Sequence, residues 1–127
     1  HCVVDFFGSS DLTRLPEQRN GQGGYGPAGD DEELARRASP LTHVDAEDPP
    51  FLILHGSEDP VVPYQQSVLL DRGLRKAGVE SILVTVEGAG HGFRDRNAAS
   101  LERALAFFDR HLMGKEIEVS REAIPPR

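Results

Sequence analysis

The stretch FLILHGSEDPVVP, Phe51 to Pro63, decides how this chain folds. Its first four residues are apolar at successive positions rather than alternate ones, as expected of a parallel strand covered on both faces. That pattern predicts an α/β sheet. Gly56 then turns the chain and leaves Asp59 on a loop at the carboxyl edge of the strand.

Two more apolar runs flank it, CVVDFF at Cys2 to Phe7 and SILVTV at Ser81 to Val86. Between the second and third runs, Val68, Leu69, Leu74 and Ala77 lie at roughly helical spacing and Gly78 is a natural stop, which makes one βαβ unit. Past the third run, Leu101, Leu105, Phe108 and Leu112 recur at intervals of four, three and four, with Gly114 closing the segment. A second amphipathic helix is expected there. The expected architecture is therefore three parallel strands with two flanking helices, in one domain over residues 1–114. Residues 115–127 form a polar tail ending in Pro-Pro-Arg, extended or docked elsewhere.

Residues 8–50 differ in kind, being rich in Gly, Pro and acids, and read as a long excursion over the strand ends. Asp31 to Ala38 is its one modest helical candidate, and the acidic run GDDEEL at Gly29 to Leu34 suits a helix start, where negative charge meets the positive end of the dipole. GQGGYG, with Gly21, Gly23 and Gly26, formally fits a dinucleotide-binding fingerprint. The nearest strand ends about fourteen residues earlier, and Pro27 and Gly29 stand where a phosphate-binding helix should begin, so a loop is the expected reading.

Composition narrows the function classes. At 127 residues the chain suits one core, burying roughly 65% of the surface its unfolded form exposes. Its 21 acidic and 14 basic residues give a net charge of -7, and no basic stripe with interleaved aromatics argues for nucleic acid. Cys2 is the single cysteine, which excludes an internal disulfide and a multi-cysteine metal site. The longest apolar stretches run about five residues, far short of the roughly 20 of a membrane helix. No membrane partner and no cofactor are expected. The chain opens on His1 and enters a strand-like run at once, so an upstream portion carrying any targeting signal is expected.

Chemistry concentrates on two loops. In GAGHGF, Gly88 to Phe93, a histidine stands on a bare turn just past the carboxyl end of SILVTV. A right-handed crossover brings the loops after neighbouring parallel strands to one edge, so Asp59 and His91, 32 positions apart, can meet. A carboxylate beside an imidazole fixes the ring's tautomer and stabilises the imidazolium formed when histidine takes a proton from a nucleophile. Glu58 is the competing acid; Asp59 is preferred because Pro60 biases its backbone towards a turn and its short side chain holds the ring more rigidly. His55 reads as a hydrogen-bonded core or turn residue. His43, His55 and His91 lack metal-ligand spacing, and no metal is expected.

VVDFFGSSDL, ASPLTHV, DPPFLILHGSEDPVVPYQQS and VEGAGHGF, in that order, resemble the C-terminal half of an α/β-hydrolase, nearest to the ferulic-acid-esterase-like and prolyl-oligopeptidase-like esterases, over Val3 to about Leu112. The resemblance implies that Asp59 and His91 complete a Ser-Asp-His triad and that SILVTV is the last strand of the sheet. It implies a serine hydrolase cleaving small-molecule carboxylic esters, with Phe7, Val62 and Phe93 as candidates to line the substrate pocket. The nucleophile departs from the pattern: no G-x-S-x-G occurs in the sequence, and Ser9, Ser10 and Ser57 lack the surroundings of a nucleophile elbow. The chain is thus expected to carry base and orienter without the attacking group. A prolyl-oligopeptidase-type peptidase is the enzymatic alternative, and a truncated binding domain the non-catalytic one. In either case the sheet edge at Cys2 to Phe7 would be open to homo-oligomer formation.

Overall fold

A computed structural model describes residues 1–15 and 31–126, which leaves the GQGGYG motif outside the described residues. Three strands, β1 (Val3–Phe6), β2 (Phe51–Gly56) and β3 (Ser81–Val86), form one parallel sheet in the order β1-β2-β3. The register pairs Val3 with Phe51 and Phe51 with Ser81. Helix α1 (Glu32–Ala38) lies in the excursion, α2 (Gln65–Lys76) makes the crossover from β2 to β3, and α3 (Asn97–Met113) follows β3.

The unbroken apolar run of β2 has its cause in packing on both faces. Leu52 and Leu54 join Ile82, Val84, Val86, Ala104 and Phe107 on the α3 side, while Ile53 joins Leu70, Leu74 and Val79 on the α2 side. α1 begins where the acidic run predicts: Asp31 caps it by accepting from the Leu34 amide at 3.0 Å, and Glu32 and Glu33 fill its first turn.

The apolar stripe expected to seat α3 does not seat it. Leu101, Leu105 and Leu112 are each more than half exposed, and Phe108 is also on the exposed side. The buried stripe is Ser100, Ala104 and Phe107, one position earlier. Both sets have helical spacing, and small residues at 100 and 104 let the helix axis approach the sheet closely enough to bury Phe107 completely.

Residues past Gly114 pack on the sheet. Val119 and Ile124 enter the α3-side core. Ile124 forms a parallel bridge with Val86, donating to the Thr85 carbonyl at 2.8 Å and accepting from the Glu87 amide at 2.9 Å. The side chain of Arg121 donates to the Ser81 carbonyl at 3.0 Å. The segment therefore covers the outer edge of β3.

The excursion is pinned where it leaves β1. Ser10 donates its hydroxyl to the Gln66 carbonyl at 2.6 Å, and the Gln66 side-chain oxygen accepts from the amides of Ser10 and Asp11 at 2.9 and 2.7 Å. Ser39, at the end of α1, accepts from the Leu12 amide at 2.8 Å. Gln66 and Ser39 are both buried, and these bonds satisfy groups that would otherwise be costly inside the fold.

Candidate active site

β2 and β3 run parallel and end level, so the loops that follow them leave the sheet side by side. Gly56 sets how closely they approach. A Cβ at this position would lie 2.2 Å from the Ala89 carbonyl oxygen, so any side chain would push the second loop away. In its absence the loops interlock: Ser57 donates its amide to the Val86 carbonyl at 3.1 Å, Glu58 donates to the Ala89 carbonyl at 3.0 Å, and the Gly88 amide donates to the Ser57 hydroxyl at 2.8 Å.

This clamp brings Asp59 and His91 together. His91 Nδ1 lies 2.9 Å from Asp59 Oδ2, with the Asp59 side chain buried and the His91 side chain 36% exposed. The other carboxylate oxygen, Oδ1, accepts from the amides of Val61 and Val62 at 2.8 and 2.9 Å. That is an Asx turn which holds the carboxylate plane. Burial would raise the pKa of Asp59, but the Val62 amide, the His91 ring and the Val61 amide together outweigh it and hold the carboxyl below its ordinary value. Asp59 is thus ionised where His91 needs an acceptor. Since Nδ1 is engaged by the acid, Nε2 is the nitrogen able to exchange a proton with a reacting group.

Phe7 packs at a tilt of 53° against the imidazole, with ring centroids 4.3 Å apart. It reaches there because its amide extends the ladder by donating to the Leu54 carbonyl at 2.9 Å, while its φ of 49° swings the chain off the sheet. The loop after His91 carries three successive positive φ values, 95° at Gly92, 54° at Phe93 and 50° at Arg94. Two of these are unfavourable for residues with a Cβ, and the surroundings must hold them. Phe93 supplies that hold, since its ring is 2% exposed in the core and meets Phe7 at 5.1 Å.

The residues singled out in the sequence separate here. Asp59 and His91 meet. Phe7 is half-buried beside them, whereas Val62 and Phe93 are buried at 6% and 2% exposure. Glu58 is exposed and joins the clamp through its backbone. Ser10 is buried on Gln66 and Ser57 accepts from Gly88, so both hydroxyls are engaged in holding loops. His43 lies 2.7 Å through Nε2 from the Arg37 carbonyl. His55 is a buried core residue as expected, and its Nε2 also stands 3.2 Å from Asp59 Oδ2, a contact outside the sequence expectation. The signal was its position four residues before the acid.

Comparison with known proteins follows the same lines. The model of the prolyl oligopeptidase family matches residues 2–115. This chain belongs to that family. Esterase LipQ of Mycobacterium tuberculosis is 40% identical over 65 residues, which make up 50% of this chain and 15% of LipQ. A puromycin-hydrolyzing peptidase of the same organism superposes with a TM-score of 0.77 at 33% identity, over 99% of this chain and 20% of that one. Est2, a thermophilic esterase of the Planctomycetes species Thermogutta terrifontis, superposes with a TM-score of 0.66 at 29% identity, over 86% of this chain and 41% of that one. The chain thus spans less than half the length of each of these relatives. Its sheet is the C-terminal part of an α/β-hydrolase sheet.

Proposed function

We propose that this chain is the acid-and-base portion of a serine hydrolase acting on small-molecule carboxylic esters, with the nucleophile contributed from outside these residues. The observation that carries the reading is the 2.9 Å bond between His91 Nδ1 and an ionised Asp59 at the carboxyl edge of the sheet. In the reaction, Nε2 of His91 takes the hydroxyl proton of the serine as it attacks the ester carbonyl and then gives that proton to the departing alkoxide. Asp59 keeps Nδ1 protonated and offsets the positive charge on the ring. Water repeats the sequence on the acyl-enzyme and frees the acid. Phe7, packed on the ring, is the half-buried residue of the candidate pocket set, whereas Val62 and Phe93 are buried.

The test is kinetic. In the full-length protein that carries this chain, His91→Ala should abolish hydrolysis of a p-nitrophenyl ester, and Asp59→Asn should lower kcat by about 10⁴-fold, as in the serine-protease template. Retention of more than a tenth of the activity by either variant would refute the assignment. The 127-residue chain alone should not exceed the imidazole background, because it lacks a nucleophile elbow. The family name and the likeness to a puromycin-hydrolyzing peptidase favour one second reading, cleavage of amides by the same pair. Matched ester and anilide substrates of one acyl group separate the two.

A further inference from the structure

His55 sits at the end of β2 with no exposed surface, and the reaction as derived makes no use of it. Its surroundings fix where its protons are. Nε2 lies 2.9 Å from the Val62 carbonyl and 3.2 Å from Asp59 Oδ2, two groups that can only accept when the carboxyl is ionised. Nε2 must therefore carry a hydrogen. Nδ1 lies 2.6 Å from the hydroxyl of Ser67, a buried residue on α2 that is able to donate to it. Tyr64 closes the ring edge-on, with centroids 5.8 Å apart. The imidazole can neither turn over nor reach solvent.

We propose that His55 is a positioning residue for the pair: its Nε2–H, donated to the Val62 carbonyl, anchors the acid loop with its positive end 3.2 Å from Asp59 Oδ2, so that the carboxylate is kept facing His91 Nδ1. This rests on the reading of Asp59 and His91 as orienter and base. Hydrogen bonds link Ser67 on α2 to His55 at the end of β2, His55 to Val62 on the acid loop, and Asp59 of that loop to His91 on the loop after β3. The two amides on Oδ1 fix one side of the carboxylate. The His55 ring lies against the other, 3.2 Å from Oδ2, and holds the loop through Val62.

The tautomers of both histidines can be read in the 127-residue chain from ¹⁵N shifts correlated with the carbon-bound ring protons, which do not exchange. In the unmodified chain His55 should show a protonated Nε2, and His91 a protonated Nδ1 when neutral. A bare Nε2 on His55 would overturn the proposal without any substitution. In His55→Leu that keeps its β2 and β3 amide shifts, the Nδ1–H fraction of His91 should fall by at least half. His55→Gln, whose amide N–H can stand in for Nε2–H, should restore most of it. A folded His55→Leu with the His91 tautomer unchanged would also overturn the proposal. Asp59→Asn is the control for the pair itself: it should invert the His91 tautomer. If it does not, the orienter-and-base reading fails, whatever His55 does.

Discussion

Asp5 on β1 and Asp59 on the loop after β2 carry opposite pH dependence. Asp59 has its pKa held below the ordinary range, so its contribution to stability is complete above the unfolded carboxylate value of about 3.9 and is lost as pH falls through the lower folded value. Asp5, on β1, is the reverse. Burial raises its pKa, and the Gly8 amide that donates to it at 3.2 Å only partly offsets this. Its charge therefore weakens the fold at neutral pH, and the penalty disappears as pH falls through the raised folded value towards the unfolded one. Melting curves at several pH values should show Asp5→Asn stabilising at pH 7 and converging with the parent chain in acid. Asp59→Asn should destabilise at pH 7 and converge likewise. Shifts of the same sign at pH 7 would contradict the assignment of either environment.

At the level of elements, α3 separates hydrophobicity from burial. Phe107 is fully buried while Leu105, two positions before it, is 55% exposed. Phe107→Ala should cost about 3 to 5 kcal/mol in denaturant unfolding, whereas Leu105→Ala should stay within about 0.5 kcal/mol. Equal losses would mean that the exposed stripe is seated after all. The same helix shows what the sequence could and could not convey. Its existence and its glycine stop were legible, because a period near 3.6 needs no partner to be seen. Its orientation was not, because two adjacent stripes share that period and only the approach of the sheet chooses between them. β2 was legible on both counts, since a run apolar on both faces has no wrong side. Asp59 and His91 were legible because strand order alone places their loops together. Gln66 was hidden, because a buried polar residue is explained by its partners, and Ser10 lies 56 positions away in the chain.

Over the whole molecule the two sheet edges differ. The C-terminal segment covers β3 through Ile124, while among the described residues β1 pairs only with β2, which leaves its other edge without a strand partner there. The exposed leucines of α3 add apolar surface on one side of the same sheet. We expect the 127-residue chain to self-associate, with sedimentation velocity showing species above the 13.9 kDa monomer as concentration rises. A monomer at every concentration would exclude the edge as an adhesive surface. The arrangement around Asp59 has a consequence for descent. Among the described residues, the hydrogen bonds that orient its carboxylate come from Val61, Val62 and His91, and His55 stands 3.2 Å from it. One crossover unit therefore holds the complete setting of the acid, so a recombination joint before β2 or after the His91 loop passes it on whole. Lineages can then exchange the segments that shape a substrate pocket while inheriting the same proton-handling cassette.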